Sequence, residues 1–115
     1  EVISLADTVG VAQPDIIKTA FSNLIPEFPE VEIGAHFHST PTKWQEKVEA
    51  AFENGCTHFD SSIKGIGGCP MAEDDLVGNI ATENLILWLR QKQVALKIDF
   101  DALFTAQNMA LELFV

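Results

Sequence analysis

The most informative stretch of the chain is VEIGAHFH, residues 31–38, where an apolar strand-like run passes directly into two histidines. Side chains alternate across a β-strand, so His36 and His38 point to the same side of the sheet. Two imidazoles placed in this way can hold one metal ion. Histidines in strands are also hydrogen-bonded for structural reasons, so the pair alone does not identify a metal site and has to be considered with the rest of the chain.

Strand-like and helical patterns alternate along the sequence. Strands are predicted over residues 2–5, 32–35 and 57–63. Helices are expected over residues 15–25, between Pro41 and Gly55, after a cap at Thr82, and from Ala102 towards Phe114 with Asp99 or Asp101 as its cap. The predicted order is βαβαβα followed by a terminal helix.

This alternation is typical of parallel strands joined by crossover helices, and a period of about 30 residues fits an open α/β sheet or a (β/α)8 TIM barrel. Polar residues decide between the two. Asp7 and Thr8, the histidine pair, and segment 61–69 all follow a predicted strand, where a barrel places its active site. A complete barrel needs about 250 residues. Residues 1–115 are therefore predicted to be three of its βα units plus a terminal helix, a part of one catalytic domain with both termini cut.

Composition excludes several functions. The formal net charge of −10 argues against nucleic acid and anionic membranes, which need clustered Lys and Arg. The basic residues are scattered, and Lys43, Lys47 and Lys64 are expected on the solvated surface. Neither a signal peptide nor an apolar membrane span is recognised, and Cys56 and Cys69 lack a secretory framework. We expect a soluble cytoplasmic protein with reduced thiols; a mitochondrial location stays open if an amino-terminal part is missing.

Two further residues extend the chemistry of the histidine pair. Asn79 offers an amide oxygen, and a mixed imidazole and amide set favours magnesium or manganese over closed structural zinc; the alternative is a turn residue after Gly78. Cys69 lies in the loop GIGGCP, residues 65–70, where a thiol becomes reactive if a nearby metal or histidine lowers its pKa. The alternative is an ordinary surface cysteine. Cys56 is predicted to be a small buried hydrophobe.

Asp7 and Thr8 come at the end of the first predicted strand. Their side chains either line a substrate pocket or order the turn that follows. His58 has no partner at metal-ligand spacing, so it is predicted to lie outside the ligand set.

Four motifs in sequence order resemble the hydroxymethylglutaryl-CoA lyases, a family of metal-dependent TIM-barrel enzymes. They are SLADTVG at 4–10, HFHST at 36–40, DSSIKGIGGCP at 60–70 and GNIATE at 78–83. The cysteine loop followed by GNIATE is the specific part, because related condensing enzymes share the histidine pair but lack that loop. The resemblance covers nearly the whole chain and implies the last three βα units of the barrel.

The resemblance implies cleavage of 3-hydroxy-3-methylglutaryl-CoA to acetoacetate and acetyl-CoA, a step of leucine catabolism and ketone-body formation. It implies a divalent metal, Mg or Mn, held by His36, His38 and Asn79, with His36 also a candidate for proton transfer. Cys69 would lie on a mobile loop that closes over the acyl-CoA substrate and would act as an acid. Asp7 and Thr8 stay candidates for substrate binding, and a homodimer is the assembly considered for the full-length protein.

Three departures from the family pattern qualify this interpretation. Ser39 replaces an aspartate that usually follows the second histidine, and the segment from Cys69 to Asn79 is one residue longer than expected. The arginine and the metal-binding aspartate of the family's first strand are absent, so the chain alone is expected to be inactive. Two alternatives remain: another lyase or synthase of the barrel group acting on an acyl-CoA or 2-oxo acid, and a non-catalytic metal-binding half-barrel.

Overall fold

The computed structural model describes residues 1–67 and 77–113, in which helices pack on one face of a small, mostly parallel sheet. The strands are β1 Val2–Asp7, β2 Glu32–Ser39, β3 His58–Phe59 and β4 Gly78–Asn79; the helices are α1 Pro14–Glu27, α2 Trp44–Phe52, α3 Thr82–Gln91 and α4 Phe100–Leu113. The predicted α/β class and the predicted alternation of strands and helices are confirmed.

Strand β2 is the centre of the sheet. It pairs in parallel with β1 on one side and β3 on the other. Its odd-numbered side chains Ile33, Ala35 and Phe37 are buried beneath the helices, because alternate residues of a strand face one layer. The core that they form also contains the following side chains from α1, α2 and α3: Ile17, Phe21, Val48, Ala51, Leu85 and Trp88.

The opposite face of the sheet carries the polar residues. The register places Ser4 beside Gly34 and Gly34 beside His58, and it places Ala6 beside His36. Glycine is required at 34, since a Cβ there would lie 2.7 Å from Cδ2 of the His58 ring. This face, which in a closed barrel is the interior, therefore accommodates imidazole side chains.

The third strand is shorter than predicted. Instead of 57–63, only His58–Phe59 pairs as a strand with β2, and the chain then enters a 3₁₀ turn at Ile63–Gly65. Within the predicted range Ser62 forms an isolated parallel bridge with Ala81 instead of continuing the pairing with β2, and the turn that follows places Lys64 and Gly65 at positive φ, 60° and 68°. The short strand β4 pairs antiparallel with the end of β2 and was not predicted.

Helix ends differ from the predictions by one to a few residues. Helix α1 includes Pro26 in its last turn, and α3 is preceded by Ala81 rather than capped by Thr82. The cap predicted at Asp99 is confirmed, because its carboxylate accepts a hydrogen bond of 3.0 Å from the Ala102 amide. The loop residue Cys69 and the carboxyl-terminal Phe114 lie outside the described residues.

The first strand presents apolar side chains at the edge of the sheet. Val2 and Ile3 are 44% and 47% exposed, and β1 has a hydrogen-bonded neighbour in the described sheet on the β2 side alone.

Within the described part of the chain, no helix combines the length and the apolar character that a membrane crossing requires.

Candidate metal centre

The two histidines at the end of β2 are each fixed through their Nδ1 atoms. Nδ1 of His36 lies 2.9 Å from Oδ2 of Asp60, and Nδ1 of His38 lies 3.0 Å from the backbone oxygen of Asp7. Because both partners are acceptors, each Nδ1 carries a proton, and in the neutral imidazole the lone pair is then on Nε2. The rings are neighbours, with centroids 5.2 Å apart. The pair therefore offers two imidazole Nε2 ligands from one face of the sheet.

Asn79 joins this pair through the antiparallel pairing of β4 with β2. It is the register partner of His38, and its Nδ2 donates a hydrogen bond of 2.9 Å to the backbone oxygen of Ile66. That bond occupies the amide nitrogen and leaves Oδ1 as the atom that can bind a metal. The structure thus brings together the three residues predicted as metal ligands, and it places Asn79 in a strand rather than a turn.

Asp60 and His58 are part of the site, although neither was predicted to belong to it. Asp60 accepts hydrogen bonds from Nδ1 of His36 and, at 3.2 Å, from Nε2 of His58. The hydrogen bond from His36 lowers the pKa of Asp60 below its usual value, and the hydrogen bond from His58 acts in the same direction. Burial of Asp60 opposes both effects but is the smaller influence. A carboxylate that accepts a hydrogen bond from the Nδ1–H of a ligating histidine orients the ring and raises its basicity. The sequence signal that could have identified them is the i, i+2 spacing of His58 and Asp60, which places both side chains on one side of a strand.

Asp7 orders the turn after β1. Its carboxylate accepts hydrogen bonds from the backbone amides of Val11 and Ala12 at 3.0 and 3.2 Å, and the Asp7 side chain is only 5% exposed. These contacts support the second of its two predicted roles and give the carboxylate no open face towards a substrate. Thr8 lies exposed in the same turn, at the same end of the sheet as the histidines.

The prediction that Lys47 is a solvated surface residue is wrong. Lys47 is 3% exposed, and its ammonium lies 2.7 Å from Oδ2 of Asp7 in a buried ion pair. The physical reason is visible in α2: Lys47 follows Trp44 by three residues and precedes Ala51 by four, so it shares the apolar face of that helix. A buried lysine must be paired, and Asp7 is its partner.

The donor set fits a divalent cation but is incomplete in this part of the protein. Two imidazole nitrogens and one amide oxygen are a mixed set that suits an octahedral ion such as magnesium or manganese. Across residues 1–67 and 77–113, no three histidine, cysteine or acidic side chains are arranged to hold a metal ion.

Gly67 is expected to control the position of Asn79. It has φ of +96°, and a Cβ there would lie 2.8 Å from Nδ2 of Asn79, so Gly67→Ala should displace the amide and weaken Mn²⁺ binding by about 10- to 100-fold. Gly55→Ala is the matched control, because Gly55 has φ of +97° but its Cβ would meet only Ile25, at 3.4 Å. Titration calorimetry with Mn²⁺ distinguishes them; equal affinities in the two variants would contradict this role of Gly67.

Cys56 is buried, as predicted, and its thiol is expected to stay protonated. It is 1% exposed, and burial raises the pKa of the Cys56 thiol from its ordinary 9.0 to about 11. Because the unfolded chain ionises first, the free energy of unfolding should fall as pH rises from 9 to 11, by about 2 kcal/mol. Urea denaturation at several pH values measures this change. Cys56→Ala should lack it, and an unchanged pH dependence in Cys56→Ala would contradict the assignment.

Comparisons with known proteins show the family of the chain. A family model described as HMGL-like matches residues 1–110. The chain is 36% identical over 104 residues to a hydroxymethylglutaryl-CoA lyase of Bacillus subtilis, covering 90% of this chain and 34% of that protein. It is also 36% identical over 106 residues to an (R)-citramalyl-CoA lyase of Chloroflexus aurantiacus, covering 92% of this chain and 33% of that protein.

A solved structure extends the comparison to the fold. An HMG-CoA lyase from Acinetobacter baumannii, in complex with coenzyme A and 3-methylmalate, superposes with a TM-score of 0.78 at 38% identity, over 91% of this chain and 34% of that one. The predicted partial barrel is confirmed by likeness to such lyase structures. The chain spans about a third of the length of the curated relatives that it matches.

Proposed function

Because this chain belongs to the HMGL-like family, we propose that it supplies the metal-binding part of a carbon–carbon lyase. That lyase would cleave 3-hydroxy-3-methylglutaryl-CoA to acetoacetate and acetyl-CoA. The observation that carries the proposal is the fixing of both histidines through Nδ1. It leaves two Nε2 atoms beside Asn79 at the carboxyl end of β2, the end at which barrel enzymes hold their substrates.

His36, His38 and Asn79 would hold a divalent cation, Mg or Mn. When bound, that cation supplies Lewis acidity, which lowers the pKa of the substrate's tertiary hydroxyl and orients it. The protein's own contribution is positional: Asp60 and the Asp7 carbonyl prevent the two imidazoles from rotating. Binding in one fixed geometry removes orientational entropy that would otherwise oppose the reaction.

Cleavage needs one proton removed and one proton delivered. A base takes the hydroxyl proton, the electrons of that O–H bond form the ketone of acetoacetate, and the breaking carbon–carbon bond leaves the enolate of acetyl-CoA. An acid then protonates that enolate carbon. The resemblance makes His36 a candidate for proton transfer, but with Nδ1 donating to Asp60 and Nε2 holding the metal it keeps no lone pair for the hydroxyl proton, so we leave the base unassigned. Cys69, in the sequence GGCP at 67–70, is the proposed acid.

A related acyl-CoA substrate is the second candidate. It is favoured by the equal identity of 36% to a citramalyl-CoA lyase and by Ser39, which stands where the lyase pattern has aspartate. The Ser39 hydroxyl is buried and finds no hydrogen-bond partner in the described part of the chain, so the surroundings of His38 differ there from those that an aspartate would make. We also propose that the protein is cytoplasmic and that the full-length protein forms a homodimer.

The test is a cleavage assay on the complete protein with each substrate and added Mg²⁺ or Mn²⁺. The proposal expects acetyl-CoA and acetoacetate from 3-hydroxy-3-methylglutaryl-CoA, loss of activity with EDTA, and recovery on adding metal. Faster cleavage of citramalyl-CoA would favour the second candidate. Absence of cleavage of either acyl-CoA with metal present would contradict both.

A further inference from the structure

A buried cation lies beside the candidate metal centre. The ammonium of Lys47 donates three short hydrogen bonds, to Oδ2 of Asp7 at 2.7 Å and to the backbone oxygens of Gly10 and His38 at 3.0 Å each. Lys47, Asp7 and His38 are 3%, 8% and 8% exposed. All three donor positions of the ammonium are therefore used, and all three acceptors belong to segments that border the site.

These bonds hold His38 from two directions. Lys47 bonds the His38 carbonyl directly, while the His38 ring donates through Nδ1 to the Asp7 carbonyl. The carboxylate of that same Asp7 is bonded to Lys47 and to two amides of the following turn. Helix α2, the turn after β1 and the end of β2 thus meet at a single ammonium, and the hydrogen-bond acceptor of the His38 ring lies within this cluster.

The charge of Lys47 also bears on a divalent cation. An uncompensated ammonium this close to a metal ligand would repel the metal, and the repulsion is only weakly screened where water is excluded. Asp7 cancels that charge within 2.7 Å. The ion pair of Lys47 and Asp7 therefore carries no net charge beside the site, whereas either residue alone would place one charge there.

We propose that Lys47 is a positioning residue of the metal centre: through Asp7 it fixes His38 as the Nδ1-protonated tautomer, and with Asp7 it forms a neutral pair that permits a divalent cation to bind. This role rests on the proposed function, which supplies the metal. The tautomer of His38 can be measured in metal-free protein, so the positioning role and the metal function can be tested separately.

The first experiment measures the imidazole tautomers in metal-free, ¹⁵N-labelled protein by NMR. Lys47→Met should convert His38 from the single Nδ1-protonated form to a mixture of tautomers. His36, which is held by Asp60, should be unchanged. Lys43→Met is the matched control, because it removes the same charge from an exposed position at the start of α2. A folded Lys47→Met protein with an unaltered His38 tautomer would overturn the positioning role, as would equal changes in His36 and His38.

The second experiment titrates Mn²⁺ into the variants by calorimetry. Lys47→Met should weaken binding about tenfold, as expected when an outer partner of a ligand is lost. Asp7→Asn, which keeps an acceptor oxygen but leaves the ammonium uncancelled, should weaken it by more than about tenfold. The double variant Asp7→Asn/Lys47→Met restores neutrality and should bind more tightly than Asp7→Asn alone; it also remains informative if Lys47→Met does not fold.

The outcomes separate the two proposals. A double variant that binds Mn²⁺ no better than Asp7→Asn would overturn the neutral-pair argument, since a purely structural role makes the two losses add. If the unmodified protein binds no Mn²⁺, the proposed metal function fails. In that case the tautomer measurement still decides whether Lys47 positions His38.

Discussion

His36→Ala and His38→Ala are each expected to reduce metal-dependent cleavage by the complete protein at least about 10³-fold, because a catalytic metal supplies several kcal/mol of transition-state stabilisation. Each substitution removes an imidazole whose Nε2 is presented to the site by a fixed Nδ1. Mn²⁺ affinity should fall in both variants. Steady-state kinetics at saturating metal and calorimetric titration measure the two effects.

His58→Ala is the control for this prediction. His58 bonds Asp60 and lies 3.8 Å from Glu32, so it touches the site only through the carboxylate that orients His36. We expect its removal to change Mn²⁺ affinity by less than about tenfold, below the loss typical for direct partners of a ligand. Equal losses at His36, His38 and His58 would mean that the ligand set is wrongly assigned.

Cys69→Ser is expected to reduce turnover at least about 10²-fold, the usual contribution of a positioned acid or base. A hydroxyl is a much weaker acid than a thiol, so serine would fill the position without delivering the proton. Unfolding free energy and Mn²⁺ affinity should both match those of the parent protein. Turnover of 3-hydroxy-3-methylglutaryl-CoA at the parent rate would exclude Cys69 as the acid.

Alkylation provides an independent measurement on the same thiol. A reagent such as iodoacetamide should inactivate the protein by modifying Cys69, and substrate should protect against it. Cys56 is the internal control, since its buried thiol is held in the protonated form by a raised pKa and only the thiolate reacts. Peptide mapping that finds Cys56 modified first, with activity lost in parallel, would contradict this assignment.

The parts of the site that follow from local periodicity were predictable from the sequence. Alternation along β2 placed His36 and His38 on one face, and the position of each polar segment after a strand placed them at one end of the sheet. Asn79 was a candidate because of its amide oxygen, and the family motif supported it, whereas its pairing with His38 depends on an antiparallel contact that no local pattern encodes.

Contacts between distant elements were not predictable in the same way. Lys47 pairs with Asp7 across 40 residues of chain, and Asp60 reaches His36 across 24. A lysine in a helix is usually solvated, and Lys43, one turn before Lys47, is exposed at the N-cap of α2, so helical spacing alone does not separate the two lysines. The early end of β3 likewise involves a distant contact, since Ser62 bridges Ala81 rather than β2.

The most direct test of the metal centre is pulsed electron paramagnetic resonance of the protein with one equivalent of Mn²⁺. Nitrogen that is bonded to Mn²⁺ modulates the electron spin echo, so each bound imidazole can be counted. We expect two imidazole nitrogens in the parent protein, one in His36→Ala and one in His38→Ala, with the remaining coupling assigned to Nε2 by selective ¹⁵N labelling. A spectrum without imidazole nitrogen in the Mn²⁺-loaded parent protein would rule out His36 and His38 as metal ligands.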